Sequence, residues 1–591
     1  KMKKGKKITI NTIICKTSKH NRVSVTALGM ISIFIGIVPI IQLEALSELI
    51  DLSIQQVSGE SSSRKIVALF LLILASYFLL WSASAVVIYL QKKLMANIRS
   101  KEKVDLLTRY KYLGLEDIEK GTFHDLNLRI INNFEPIYQM VFDDLWMMIS
   151  MIIRVISIIS IIAQFTWWCA ITILVFIIPL IYYSFYAGQR NYQVSKLLAR
   201  QERQLNYYSE IMTDRESVLE RTLFGFTDHI NAIFRSQYEK WYHEKQKVDL
   251  KNLIKKNMGM IISTFSGIVT FILLLSYVLN HVITIGLFIS LVYAVFNLGG
   301  ILSGKLTAIA NEYAKIKEYI KDLNEYYKWS EHGMIEKMNN KKHSFQSLEF
   351  RNVSFKYQNS EKYILQNFSC IIEKNQHYAL VGLNGAGKTT FVKLALGLYQ
   401  QFEGNILLNN QDIRSYTRKE LNSICAAIFQ DFARYEMTMN ENIFMNTNKQ
   451  YSEWREVLDQ IQISHLVKKM PNGLVTQLGK LTEDGIELSG GEWQKIALAR
   501  LMVRDAALLF FDEPTAAMDP IMESKIYNEF SNITKGKTSV VISHRLGGTR
   551  FYDNILVIDK GHIIESGNHE HLMSIKGLYY RMYENQRGWY Q

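Results

Sequence analysis

Six stretches of this chain, approximately residues 23–43, 66–90, 138–163, 166–187, 258–279 and 282–303, run for about 20 residues or more with almost no charge. A helix of about 20 apolar residues spans the roughly 30 Å hydrocarbon core of a bilayer. Backbone that enters that core must satisfy its own polar groups, and a helix does so within one segment. The first half of the chain is therefore confined to a bundle of membrane-spanning helices. The first stretch reads as a span and not as a cleaved leader, because it is long and no small-residue cleavage site follows. Pro39 and Pro179 fall inside spans and are expected to kink them, with neighbouring helices satisfying the freed carbonyls.

Charge sets the orientation. Residues 92–137 carry nine Lys or Arg and residues 188–257 carry thirteen, whereas the other connections together hold only Arg64 and Lys65. Positive loops stay on the cytoplasmic side, which places both long loops and the basic tail 1–22 in the cytoplasm. Trp167 and Trp168 fall at the outer edge, where amphipathic rings are favoured. The net charge of +13 is then a topology signal, and nucleic-acid binding is not expected. Four scattered cysteines exclude a disulfide scaffold and show no metal-type spacing. Residues 305–330 read as a charged amphipathic helix, and a polar stretch follows. The expected organisation is a basic tail (1–22), a six-helix transmembrane domain (23–330) with cytoplasmic loops at 92–137 and 188–257, a linker (331–344), and an α/β domain (345–591).

That last domain carries the chemistry. An apolar strand runs into Gly382-Leu383-Asn384-Gly385-Ala386-Gly387-Lys388-Thr389-Thr390, which fits a phosphate-binding loop. Its glycines let backbone N–H groups approach phosphate oxygens, and the following helix directs its positive end at the anion. Lys388 is expected on the β/γ-phosphates and Thr389 on Mg²⁺. Leu508-Leu509-Phe510-Phe511-Asp512-Glu513 reads as a buried strand ending in two carboxylates. Asp512 is the expected metal ligand, and Glu513 is the expected activator of an attacking water.

Leu488-Ser489-Gly490-Gly491-Glu492 resembles the signature of the ATP-binding cassette (ABC) transporter family. The order of the other motifs is similar to that family throughout. The resemblance implies that Tyr357 stacks on adenine and that Gln430 is the Q-loop residue, reaching metal and water. It further implies that Asp519 belongs to the D-loop and that His544 is the switch histidine. Ser489, Gly490, Gly491 and Glu492 would face the γ-phosphate of ATP held by another subunit, so ATP and Mg²⁺ are the expected ligands and one chain cannot complete a site. Lys480 stands where many family members carry glutamate, in a segment that usually touches the cytoplasmic loops.

Six spans followed by one cassette resemble an exporter-type (type IV) half-transporter. The fold class expected is a membrane α-helical domain followed by an α/β P-loop NTPase. The resemblance implies a bacterial cytoplasmic membrane location, with the N-terminus and the cassette in the cytoplasm. The expected partners are a second copy, or a related half-transporter, and the lipid bilayer. Short helices at the loop tips would seat on the cassettes, with Leu113 to Phe123 and Leu223 to His229 as candidates. Only about 22 residues precede the first span, so no N-terminal peptidase domain is expected. The phrasing around the signature looks most like bacterial exporters of modified peptides such as lantibiotics. A lipid, lipopeptide or drug exporter, or an importer or non-transporting sensor on the same fold, are the alternatives. Arg154 lies in the third span, close to mid-membrane. Such a residue should face the bundle interior, either to bind an anionic group on the cargo or to pair with Glu44 or another acid.

Overall fold

The computed structural model describes residues 7–57, 63–165, 167–214, 217–333, 344–358, 360–445, 450–515 and 534–587. Asp519 and most of the expected linker lie outside the described residues. The chain forms two compact units, Lys1–Leu113 with Lys120–His332, and Gly114–Glu119 with Gly333–Gln591.

The first unit is helical. Its elements are α1 (Ile10–His20), α2 (Arg22–Val57), α3 (Ser63–Ile98) and α4 (Val104–Arg109), then, after a short helix α5 (Leu115–Ile118) that belongs to the second unit, α6 (Gly121–Phe165), α7 (Trp167–Thr213), α8 (Val218–Phe224), α9 (Thr227–Leu279) and α10 (Ile285–Gly333). Six of the described helices are long and apolar enough to cross a bilayer. The 53 residues of α9 extend about 80 Å at 1.5 Å per residue, far beyond a hydrocarbon core. α7 packs along α9, and α2 packs against α3 and α6. Pro39, Pro136 and Pro179 lie within α2, α6 and α7.

The helices outrun the apolar stretches that mark them. α2 continues to Val57, through Glu44, Glu48 and Asp51, because polar residues end burial in lipid without ending a hydrogen-bonded ladder. Asp51 has a use there: its Oδ1 accepts from the backbone N–H of Gly286, 2.7 Å away, at the start of α10. A Cβ at Gly286 would stand 2.2 Å from the Ser47 carbonyl, so only glycine permits this approach. The second loop-tip helix also differs from its expected place. It spans Val218–Phe224 and not Leu223 to His229, because Gly225 adopts φ +63° and its N–H caps Arg221, which ends the helix.

The second unit holds two sheets. A six-stranded sheet has the order β10-β9-β3-β8-β7-β6, where β3 is His377–Gly382, β6 Cys425–Ile428, β7 Leu508–Asp512, β8 Thr538–Ile542, β9 Asn554–Asp559 and β10 His562–Gly567. All neighbours are parallel except the edge pair β9 and β10. A four-stranded antiparallel sheet has the order β2-β1-β4-β5, with β1 Ser347–Phe355, β2 Leu365–Glu373, β4 Glu403–Leu408 and β5 Gln411–Asp412. A parallel sheet covered on both faces needs strands that are apolar throughout. β7 meets this requirement: Leu509 and Phe511 enter one core and Leu508 and Phe510 the other, all at most 1% exposed. Phe350, Phe368, Phe391 and Phe510 form a chain of ring contacts through the second core.

Candidate functional site

Three adjacent parallel strands carry the site. β3, β8 and β7 lie side by side in one direction, so their carboxyl ends open at the same edge. The crevice at such an edge is where parallel α/β sheets bind ligands. The strand β3 ends at Gly382 and leads into the glycine-rich loop and α11 (Lys388–Ala395); β7 ends at Asp512, followed by Glu513; and β8 ends just before Ser543 and His544. The three motifs are distant in sequence and are brought together by strand order alone.

The loop's geometry requires its glycines at two positions. A Cβ on Gly382 would stand 2.2 Å from the Ile558 carbonyl, and Gly387, at φ +104°, would meet a Leu365 methyl at 2.7 Å. Lys388 folds back over this loop and donates to the carbonyls of Gly382 and Leu383 at 2.8 and 3.0 Å. Burial pushes the Lys388 ammonium below its ordinary pKa, while Glu513 and Asp512 pull it back up. Thr389 Oγ1 donates to Asp512 Oδ2 at 2.8 Å. Burial raises the Asp512 carboxyl, against the Thr389 hydrogen bond and the charge of Lys388.

Glu513 is held from several sides. Gln430 Nε2 donates to one carboxylate oxygen at 3.1 Å, and His544 Nε2 lies 2.9 Å from the other. Its backbone stands at φ +51°, a left-handed conformation that costs a residue with a Cβ about 1–3 kcal/mol. Two contacts offset that cost. The Glu513 N–H donates to the Ile542 carbonyl, and Gln494 Nε2 donates to the Glu513 carbonyl, both at 3.1 Å.

His544 is pushed below the ordinary histidine value by burial first and by the charge of Lys388 second, with Glu513 opposing. A neutral imidazole facing a carboxylate carries its single proton on Nε2, toward Glu513. Acid would add a second proton to the ring and turn this hydrogen bond into an ion pair that lowers the basicity of Glu513. ATP turnover is therefore expected to decline on acidification with a midpoint below pH 6.5. A pH–rate profile checks this. A decline centred above 6.5 that disappears in His544→Gln would contradict the assignment.

Tyr357, Asn384, Gly385, Ala386, Gly387, Lys388, Thr389, Thr390, Gln430, Asp512, Glu513 and His544 line one cavity of about 640 Å³. Tyr357 is fixed by its hydroxyl at 3.0 Å from Thr390 Oγ1 and by edge-on contact with Phe355 and Tyr399. Tyr399 in turn donates to Glu119, Lys393 Nζ lies 3.7 Å from the same carboxylate, and Glu116 accepts from the backbone of Gln400 and Gln401. The segment Gly114–Glu119 is thereby clasped by residues adjoining the nucleotide cavity.

Ser489, Gly490, Gly491 and Glu492 do not line this cavity. They form the start of the helix Gly490–Met502: the Ser489 side chain accepts from the Glu492 N–H, and the Glu492 carboxylate accepts from Ser489 N and Oγ at 2.9 Å. Ser489 and Gly490 are exposed. Lys480 is exposed too, 3.9 Å from Glu487, and its N–H donates to Glu436. Arg154 lines a separate cavity in the first unit. One residue of this cavity and one behind it escaped sequence reading. Ile364 lines the wall, and nothing in its sequence surroundings marks it. Gln494 lies within the signature run, yet only the fold brings it to Glu513.

Comparison with known proteins gives the following. A family profile described as ABC transporter matches residues 365–516. The chain is 31% identical over 564 residues to the subtilin transport ATP-binding protein SpaT of Bacillus subtilis, covering 94% of this chain and 90% of that protein. It is 28% identical over 453 residues to the nisin transport ATP-binding protein NisT of Lactococcus lactis subsp. lactis, covering 74% and 75%. The structure of a bacterial Atm1-family ABC exporter with ATP bound superposes with a TM-score of 0.81 at 21% identity, covering 96% of this chain and 99% of that one; at this identity the likeness is one of fold.

Proposed function

This chain belongs to the ABC transporter family, and we propose from that premise that two copies of it form an exporter that moves a peptide of the subtilin and nisin kind out of the cytoplasm at the expense of ATP. It is a membrane protein with an ATP-binding domain, and ATP hydrolysis coupled to transport follows from the family. The observation that carries the peptide reading is similarity along nearly the whole chain, membrane helices included, to a subtilin transporter. The location proposed is a bacterial cytoplasmic membrane with the cassette on the inner side.

The site residues divide the work as follows. Lys388 and the loop N–H groups neutralise phosphate charge. The donor set fits a hard divalent cation, since the Thr389 hydroxyl and the Asp512 carboxylate converge to 2.8 Å beside Gln430. Mg²⁺ would be held by these oxygens and would supply further neutralisation of the phosphates. Glu513, aimed by Gln430 and His544, accepts a proton from the attacking water and so orients it. Ser489 to Glu492 stand away from the chain's own cavity at an exposed helix start, which supports completion of each site by a second copy. Closure of two cassettes on two ATP molecules would then drive alternating access of the membrane helices. Asp519 is assigned to the same interface by resemblance.

Inside-out vesicles containing only this chain are expected to take up labelled subtilin when ATP is supplied, and not in Glu513→Gln vesicles. Uptake of phospholipid with no peptide movement would replace this reading with the lipid-exporter one.

A further inference from the structure

In the first unit α2, α3, α6 and α10 enclose a cavity of about 310 Å³. Its polar lining is Gln42, Tyr77, Arg154, Ser290, Tyr293 and Asn297; the rest of the wall is apolar, and no Asp or Glu contributes to it. Tyr77 and Tyr293 are 56% and 57% exposed, so the cavity is open and not sealed. Among the described residues Arg154 has neither an ion pair nor a hydrogen bond, to Glu44 or to any other acid. A guanidinium at this depth requires a counter-charge or water, and the walls supply no counter-charge. Water can solvate the guanidinium in an open cavity, and an anionic ligand group would supply the counter-charge that the walls lack.

The neighbouring groups define the rest of that ligand. The guanidinium presents a planar fork of N–H donors that matches a carboxylate in bidentate fashion. Gln42 Nε2 already donates to Ser76 Oγ at 2.9 Å, which leaves the Gln42 carbonyl oxygen as an acceptor, and Asn297 offers both a donor and an acceptor. A ligand N–H close to the anion satisfies these groups. A peptide end has one on the residue that bears its carboxylate, whereas a phosphodiester group carries no donor of its own. A cavity of this size is at the lower end of the roughly 300–1,000 Å³ found for ligand pockets, so it admits one end of a longer molecule.

We infer that this cavity binds the C-terminal carboxylate and last residues of a peptide, with Arg154 on the carboxylate and Gln42 and Asn297 on the adjoining amides. This rests on the export reading and specifies how the cargo is recognised.

The test uses the full chain in lipid nanodiscs and a photoreactive tripeptide, leucyl-benzoylphenylalanyl-leucine, prepared as the free acid and as the C-terminal amide. Labelled positions are read by mass spectrometry. The free acid is expected to label α3 and α10 near Tyr77 and Tyr293 about tenfold more strongly than the amide, the loss being that of hydrogen bonds to a charged group. Arg154→Gln should abolish the difference, and Arg154→Lys should keep part of it. Equal labelling by acid and amide in the unaltered protein overturns the inference, and this comparison holds even if the variants misfold. Displacement of the probe by octyl phosphate but not by acetyl-leucyl-leucine also overturns it, and assigns the cavity to a lipid headgroup. Subtilin uptake by vesicles is measured alongside. Loss of uptake with acid-selective labelling intact removes the export reading alone; uptake without acid selectivity removes this inference alone.

Discussion

Glu513→Gln is expected to bind ATP about as well as the parent and to lower steady-state turnover by about 10²–10⁴-fold, the range of general acid–base assistance. The substitution keeps the size of the side chain but removes its capacity to take a proton from water. The two oxygens of Glu513 accept from Gln430 and face His544, so a carboxamide there turns an N–H toward one of two donors. The ring of His544 can relieve that conflict by moving its proton to Nδ1, which leaves the surrounding geometry in place. With hydrolysis blocked and binding retained, two cassettes should remain closed on ATP. Retention of radiolabelled ATP on the protein through a desalting column with Mg²⁺, next to a phosphate-release assay, checks both halves. Turnover at the parental rate would remove Glu513 from its assigned role.

Lys388→Ala is expected to fail earlier, at nucleotide binding. The ammonium is a buried cation beside two carboxylates, and its bonds to the carbonyls of Gly382 and Leu383 help to keep the loop curled. Without it the triphosphate approaches Asp512 and Glu513 with less opposing charge. A hydrogen bond to a charged group contributes about 1.5–3 kcal/mol, so losing one should cost roughly tenfold to a hundredfold in affinity. Lys388→Met fills the space without the charge and separates electrostatics from packing. Isothermal titration with ATP is the measurement. Parental affinity in both variants would mean that Lys388 does not contact phosphate.

The sequence revealed some features far better than others, for physical reasons. The six spans were readable because lipid imposes a long uniform requirement on side chains. Their ends were not, because a helix continues wherever its ladder can form. α2 passes the polar residues Glu44, Glu48 and Asp51 without breaking. The position of α8 turned on a single glycine at φ +63°. In the candidate nucleotide site, Lys388, Thr389, Asp512 and Glu513 stood out because each proposed chemical task restricts the residue type, and His544 stood out through the family resemblance of its motif. Their convergence into one cavity followed from the parallel order of β3, β8 and β7. Ile364 and Gln494 contribute through position alone, and a wall residue or a donor to a main-chain carbonyl has no type restriction to betray it. Leu113 to Phe123 was legible as a loop-tip helix, but which of its side chains make contacts was not: Glu116 and Glu119 meet Gln400, Tyr399 and Lys393.

The segment Gly114–Glu119 belongs to the second unit, although the chain on both sides of it belongs to the first. Grouped with the second unit, it makes the polypeptide cross between the two units three times, at 113/114, 119/120 and 332/333. The nucleotide-binding half is thus not a bead on a single string. The aromatic and ionic clasp around Tyr399 therefore holds main chain that ends two residues before the 45-residue α6 begins at Gly121.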